Sequence, residues 1–134
     1  MKLDRITDGE LSILQILWQR GEATSREITA ALHEEVTDPK MASIQKLIER
    51  LEAKGCVRRD RSQRAHRFRP RVSHEQFLRS RLQALADRLC GGALIPLVST
   101  LLRSGRLPKK ERKQLRQLID NLWPSKGSGN HPSD

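Results

Sequence analysis

A chain of 134 residues with a formal net charge of +10 and a sequence pI near 10.6 has room for one compact domain, or for a small domain plus an oligomerisation element. Such an excess of cations favours a polyanionic partner. The aromatic side chains are only Trp18, Phe68, Phe77 and Trp123, with no tyrosine, too few for the stacking platforms that single-stranded nucleic acids need, which leaves a duplex as the expected partner.

Cys56 and Cys90 form no disulfide framework and are expected to be small core residues. No apolar stretch resembles a signal peptide, and none approaches the ~20 residues needed to cross a bilayer. The expectation is a cytoplasmic protein without membrane insertion.

In chain order, Thr7-Asp8-Gly9-Glu10 has the form of a capping box, in which a hydroxyl accepts from an exposed amide and a glutamate three positions on reaches back. Leu11, Leu14, Leu17 and Trp18 follow at helical spacing, and Gly21 ends a first helix predicted over 8–19. Thr24-Ser25-Arg26-Glu27 repeats the capping form ahead of Ile28, Ala31 and Leu32, which predicts a second helix over 25–35. Asp38-Pro39 reads as an N-cap followed by a proline at the first helical position. Ile44, Leu47, Ile48 and Leu51 then form the apolar stripe of a third helix, closed by Gly55 at positive φ.

After Gly55 the period changes. Cys56-Val57 opens a short strand, 65–70 returns beside it, and 60–64 is the polar tip between them. In the return strand Phe68 points inward while Arg67 and Arg69 point outward. Pro70 fits only an edge or a strand end. The fold class expected is mainly α with a small β-hairpin: a winged helix-turn-helix over 1–72. A helical dimerisation region follows over 73–123. Ser73-His74-Glu75-Gln76 starts it, and Leu78, Leu82, Leu85 and Leu89 are spaced as the seam of a coiled coil or bundle. Gly91-Gly92 breaks that helix. Leu94, Ile95, Leu97, Val98, Leu101 and Leu102 form a nearly continuous apolar run, and a last helix after Pro108 carries Leu115, Leu118, Ile119, Leu122 and Trp123. So much leucine in short helices needs cover from a second copy of the chain. Residues 124–134 read as a disordered tail.

At 100° per residue the third helix turns Ala42, Gln45, Lys46 and Glu49 away from its apolar stripe, with Lys40, Ser43 and Arg50 on the flanks. Gln45 suits bidentate pairing with adenine, Lys46 suits guanine O6 and N7, and Ala42 suits a thymine methyl. Lys40, Ser43 and Arg50 suit phosphate oxygens. Glu49 repels phosphate. Taken alone, this pattern also describes an ordinary solvated helix face. The hairpin that follows carries Arg58, Arg59, Arg61, Arg64, Arg67, Arg69 and Arg71 against Asp60. Arginine at a wing tip can enter a minor groove or clamp a backbone. Arg61 and Arg64, nearest the tip, are the first candidates for contact, with Arg67 next. A second basic cluster, Arg103, Arg106, Lys109, Lys110, Arg112 and Lys113, reads as solvated helix ends.

Catalysis finds no constellation. His33, His66, His74 and His131 lack metal-ligand spacing, and there is neither a glycine-rich phosphate loop nor a nucleophile elbow. The expectation is a non-enzyme with no metal and no cofactor.

These residues resemble the penicillinase-repressor family of bacterial transcriptional regulators, which includes the methicillin-resistance and copper-responsive repressors. The likeness is carried by Thr7-Asp8-Gly9-Glu10-Leu11 running to Ile16-Leu17-Trp18, by Ser43-Ile44-Gln45-Lys46-Leu47-Ile48-Glu49-Arg50-Leu51 with Lys54-Gly55, by His66-Arg67-Phe68-Arg69-Pro70, and by Gly91-Gly92 with the apolar helix after it. It covers about residues 5–122. It implies a homodimer with two winged helices on a pseudo-palindromic operator, with Ser43, Gln45, Lys46 and Arg50 at DNA-contacting positions. It implies a dimer core built from Leu78, Leu82, Leu85, Leu89, Leu94, Leu97, Val98 and Leu101. It also implies, for several members, a membrane sensor protease that triggers cleavage in the apolar helix. The chain departs from the pattern in places. Many members carry threonine then arginine where Ser43 and Gln45 stand. The asparagine–phenylalanine bond cleaved in the best-known members has no counterpart in Leu97–Leu102. The paired C-terminal cysteines of the copper-responsive members are absent. A different class remains open: the same winged helix as a basic module for a protein partner or double-stranded RNA. Steep salt dependence marks nucleic acid and not an apolar protein interface.

Overall fold

The computed structural model describes residues 3–125, so the tail expected over 124–134 lies outside the described residues from position 126 on. A 3-10 turn, Leu3–Arg5, leads into α1 (Asp8–Arg20), β1 (Ala23–Thr24), α2 (Ser25–Leu32), α3 (Asp38–Ala53), β2 (Val57–Asp60), β3 (Arg67–Pro70), α4 (His74–Leu89), α5 (Ile95–Arg103) and α6 (Lys109–Leu122). The chain is mainly helical with a small antiparallel sheet, as expected. It forms two compact units, one ending at Gly92 and one beginning at Ala93.

The capping boxes form as their spacing predicts. The Thr7 amide donates to Glu10 Oε1 at 2.9 Å and the Glu10 amide to Thr7 Oγ1 at 3.3 Å. Thr24 and Glu27 do the same for α2, and Ser73 and Gln76 for α4. The start of α3 differs from the sequence expectation. Its N-cap is Thr37, whose hydroxyl accepts from the Lys40 amide at 3.4 Å, while Asp38 and Pro39 already lie in the first turn. There the Asp38 carboxylate sits at the positive end of the helix dipole. Helix α2 also stops earlier than predicted, at Leu32. His33 takes an extended backbone, and Glu34-Glu35 offer no apolar face that would reward another turn.

The sheet has one more strand than the sequence suggests. Its order is β1-β3-β2, antiparallel throughout, so β3 is central and not an edge. Phe68 faces Ala23 on one side and Arg59 on the other. Pro70 sits at the end of β3, opposite Val57, where its missing N–H costs least. β1 is only a dipeptide between Gly21 and α2, too short to show a period of two.

The core of this first unit fills the space between α1, α2, α3 and the sheet. Ile13, Leu14, Leu17, Ile28, Ile48 and Leu51 have no exposed surface, and Cys56, Val57, Phe68 and Val72 close it from the sheet side. Each such aliphatic side chain contributes about 1.5–3 kcal/mol through burial. Ile13 and Ile16 are buried where the helical spacing singled out Leu11 and Trp18, which are only partly so. α1 is covered on several sides and not along one stripe.

The first turn of α4 is rooted in the same core. Phe77 is buried, its ring 5.5 Å from that of Trp18. Trp18 Nε1 donates to the Val72 carbonyl at 2.8 Å, and Arg81 donates to the Ile6 carbonyl at 2.7 Å while lying over the Phe77 ring. Beyond that turn the α4 leucines are exposed. Gly91 and Gly92, both at positive φ, end the helix. In the second unit, α5 and α6 bury no residue of their own.

Candidate nucleic-acid interface

Helix α3 is fixed from both ends and from behind. Gly55, at φ 75°, turns the chain out of it. Ile44, Ile48 and Leu51 anchor its inner face. Leu47 lies so close to α1 that a Cβ added at Gly9 would stand 3.3 Å from Leu47 Cδ1. Lys54, just past its last turn, donates to Glu10 Oε1 and to the Arg5 carbonyl, each at 2.5 Å. Glu10 is fully buried at the start of α1. Burial alone raises its carboxyl pKa, but the hydrogen bond and charge of Lys54 and the Thr7 amide outweigh it and hold the group below its ordinary value.

What α3 turns outward is the face expected from the helical wheel. Ala42, Ser43, Gln45, Lys46, Glu49 and Arg50 are exposed, and Lys40 is half-buried. Gln45 shares a shallow groove with Thr24 and Ser25 at the start of α2 and with Arg64, Ala65 and His66 of the wing. The outward face of α3 and one side of the wing therefore open onto the same space.

In the wing, the Ser62 amide donates to Asp60 Oδ1 at 2.9 Å and shapes the tip. Arg58, Arg61, Arg64 and Arg71 are exposed, and none of them is in an ion pair among the described residues. The other wing arginines are held. Arg59 makes a forked pair with Glu52 at the end of α3, Nε to Oε2 at 3.1 Å and Nη2 to Oε1 at 2.7 Å. Its guanidinium also lies 4.8 Å from the centre of the Phe68 ring and 3.1 Å from His66 Nδ1. Arg67 Nε donates to Glu22 Oε2 at 2.7 Å, and its Nη2 is 3.5 Å from Glu27. Arg69 donates to the other Glu22 oxygen, Oε1. Arg67, expected beside Arg61 and Arg64 as a contact residue, thus stands half-buried in a carboxylate bridge.

The charges respond accordingly. Arg69 and then Arg67 hold the Glu22 carboxyl below its ordinary pKa. Arg59 does the same for Glu52 against an opposing effect of burial, and Glu52 raises Arg59 in turn. Glu22 and Glu52 are the residues of this surface that sequence reasoning missed. Glu22 precedes a strand too short to recognise, and its partners lie 45 and 47 positions on. Glu52 sits seven positions from Arg59 across the Gly55 turn, a spacing that no helix or strand rule joins.

Among the described residues no cluster of histidine, cysteine, aspartate and glutamate could hold a metal ion. No helix among them is long and apolar enough to cross a membrane. The leucines expected to form a dimer core stand in solvent in the single chain. Leu78, Leu82, Leu85 and Leu89 are between 42% and 67% exposed, Leu94, Val98 and Leu101 between 43% and 60%, and Leu97 is half-buried. Within the second unit, Val98, Leu101, Leu102, Leu107, Leu115 and Leu118 line an open apolar cleft between α5 and α6.

Residues 6–121 match a family described as penicillinase repressor. The chain is similar to the penicillinase repressor of Bacillus licheniformis, 23% identical over 120 residues, covering 89% of this chain and 92% of that protein. It is similar to the penicillinase repressor of Staphylococcus aureus, 23% identical over 119 residues, covering 87% and 92% respectively. An uncharacterised 16.5 kDa protein of Latilactobacillus sakei is 26% identical over 116 residues, covering 87% of this chain and 79% of that one.

Proposed function

Because the chain belongs to the penicillinase repressor family, we propose that it is a sequence-specific, double-stranded-DNA-binding transcriptional repressor. In this reading it acts in the cytoplasm as a homodimer on a pseudo-palindromic promoter operator. DNA binding lies in 1–72 and dimerisation in 73–123. The observation that carries the reading is the shared groove between Gln45 on the outward face of α3 and Arg64 on the wing. One element is sized for a major groove, and the other carries cations for the backbone beside it.

The roles divide by chemistry. Gln45 and Lys46 read base edges, and Ala42 meets a methyl group. Ser43, Lys40, Arg50, Arg61 and Arg64 take phosphate or minor-groove contacts and set register. The exposed leucines of α4 and of the second unit supply the dimer surface, since so many apolar side chains left in water favour association. Two copies then place two recognition helices on one duplex, and the DNA site must show two inverted half-sites.

Selection of duplexes from a random-sequence pool by the purified protein tests this. The expected result is one enriched motif with two-fold symmetry and half-sites about 10 base pairs apart, or a multiple of that. A pool that stays random after repeated rounds contradicts sequence-specific recognition.

A further inference from the structure

The wing arginines are not equivalent, and two carboxylates sort them. Glu52 ends the inward part of α3 and grips Arg59 with both oxygens. Arg59 is meanwhile seated on Phe68, the buried residue of β3, and beside His66. This chain of contacts runs from the recognition helix to the base of the wing. On the other face of the sheet, Glu22 divides its oxygens between Arg67 and Arg69 on β3. It ties the central strand to the turn before α2. The remaining arginines, Arg58, Arg61, Arg64 and Arg71, are exposed and outside these ion pairs.

We propose that Glu22 and Glu52 are specificity-determining positioning residues. By holding Arg59, Arg67 and Arg69 in the wing, they fix its angle to α3 and keep those cations off phosphates, so that only the outer arginines meet DNA. The inference rests on the DNA-binding reading above and adds to it the device that sets the wing. Ion pairs this close to the surface add little to stability. Their consequence is direction: a forked arginine–carboxylate pair fixes geometry more sharply than it lowers free energy. The sign of the prediction is unusual. Removing an acid near DNA ordinarily tightens all binding. Here it releases arginines to any backbone and loosens the wing, so preference falls while random affinity rises.

The test compares wild type with Glu22→Gln, Glu52→Gln and a charge control, Glu35→Gln, an exposed acid outside these pairs. Binding is measured on the duplex that the wild type selects and on its scramble, across a salt series. For the two positioning variants, the ratio of selected to scrambled affinity should fall about tenfold. For Glu22→Gln, the salt slope on scrambled DNA should steepen by about one to two units as Arg67 and Arg69 reach phosphates. Glu35→Gln should leave the ratio unchanged, and the swapped pair Glu52→Arg with Arg59→Glu should restore it. A second readout needs no DNA. Backbone-amide relaxation at residues 61–65 of the free protein should move toward the flexible range, with order parameters below about 0.6, in both single variants. A ratio that stays at the wild-type value, or that falls equally in Glu35→Gln, overturns the proposal. So do wing amides as rigid as those of the wild type. Should the wild type itself prefer no duplex, the DNA-binding reading fails, and the amide relaxation alone decides whether the two acids position the wing.

Discussion

Gln45 and Arg64 line the same groove, and in the proposed reading they carry different kinds of information. A glutamine amide matches one base edge, and its loss should cost on the order of 1–3 kcal/mol at one base pair and little elsewhere. A guanidinium on a phosphate reports only that a backbone is there. Gln45→Ala should therefore relax preference at a single position of the selected site, read by competition with single-base variants. Arg64→Ala should weaken all duplexes alike and lower the salt slope by about one unit. Equal losses on specific and scrambled DNA for Gln45→Ala contradict its assignment. A third residue sets the platform. Glu10 is buried against Lys54, with its carboxyl held below an ordinary value near 4.5. Its pairing is fully present above that value and is lost as pH falls through the lower, folded-state value. Glu10→Gln should cost about 1–3 kcal/mol near neutral pH. The gap to wild type should narrow as pH falls below the ordinary carboxylate value and close once pH has fallen through the lower, folded-state value, where the wild-type carboxyl is protonated too. Thermal unfolding of both proteins across pH 3–7 measures this.

At the scale of elements, legibility followed the range of the interaction. Among the described residues each α-helix was foreseen, because caps such as Thr7 with Glu10 and stops such as Gly55 act within four residues of where they are written. The outward face of α3 was legible for the same reason: a wheel is local geometry. Helix boundaries moved where a local rule had a competitor. Thr37 took the cap from Asp38, and α2 ended three residues early because Glu34-Glu35 offer no apolar face to a further turn. The β1 strand was invisible. Ala23-Thr24 has no period of its own and is a strand only because β3 lies beside it. The pairing of Arg67 with Glu22 was hidden with it, so the wing read as more uniformly cationic than it is. The buried Ile13 and Ile16 were missed because α1 is enclosed on several sides, which a one-stripe pattern does not describe. The core that supports α3 carries its own prediction. Leu51→Ala, at a fully buried position, should cost about 2–5 kcal/mol. Denaturant unfolding measures it, and a loss within ±0.5 kcal/mol, as for a surface residue, contradicts the packing described.

For the whole molecule, the question is what covers the leucines. α4 starts in the core through Phe77 and then presents Leu78, Leu82, Leu85 and Leu89 to solvent, while α5 and α6 bury nothing by themselves. A second copy is the cover proposed here. A charge in the seam tests it: Leu82→Glu should shift sedimentation from dimer toward monomer. It should also weaken binding to a two-half-site duplex far more than to a single half-site, because linked half-sites raise affinity without new contacts. An unchanged dimer places the seam elsewhere.

In the proposed function this chain reads duplex sequence through α3 and its wing. Fluorescence anisotropy of the wild type on its selected duplex and on the scramble, across a salt series, tests it most directly. The expected result is tight binding to the selected duplex and weak, steeply salt-dependent binding to the scramble, with affinities separated by at least about a thousandfold at physiological salt. Equal affinity for both, or binding that ignores salt, contradicts it.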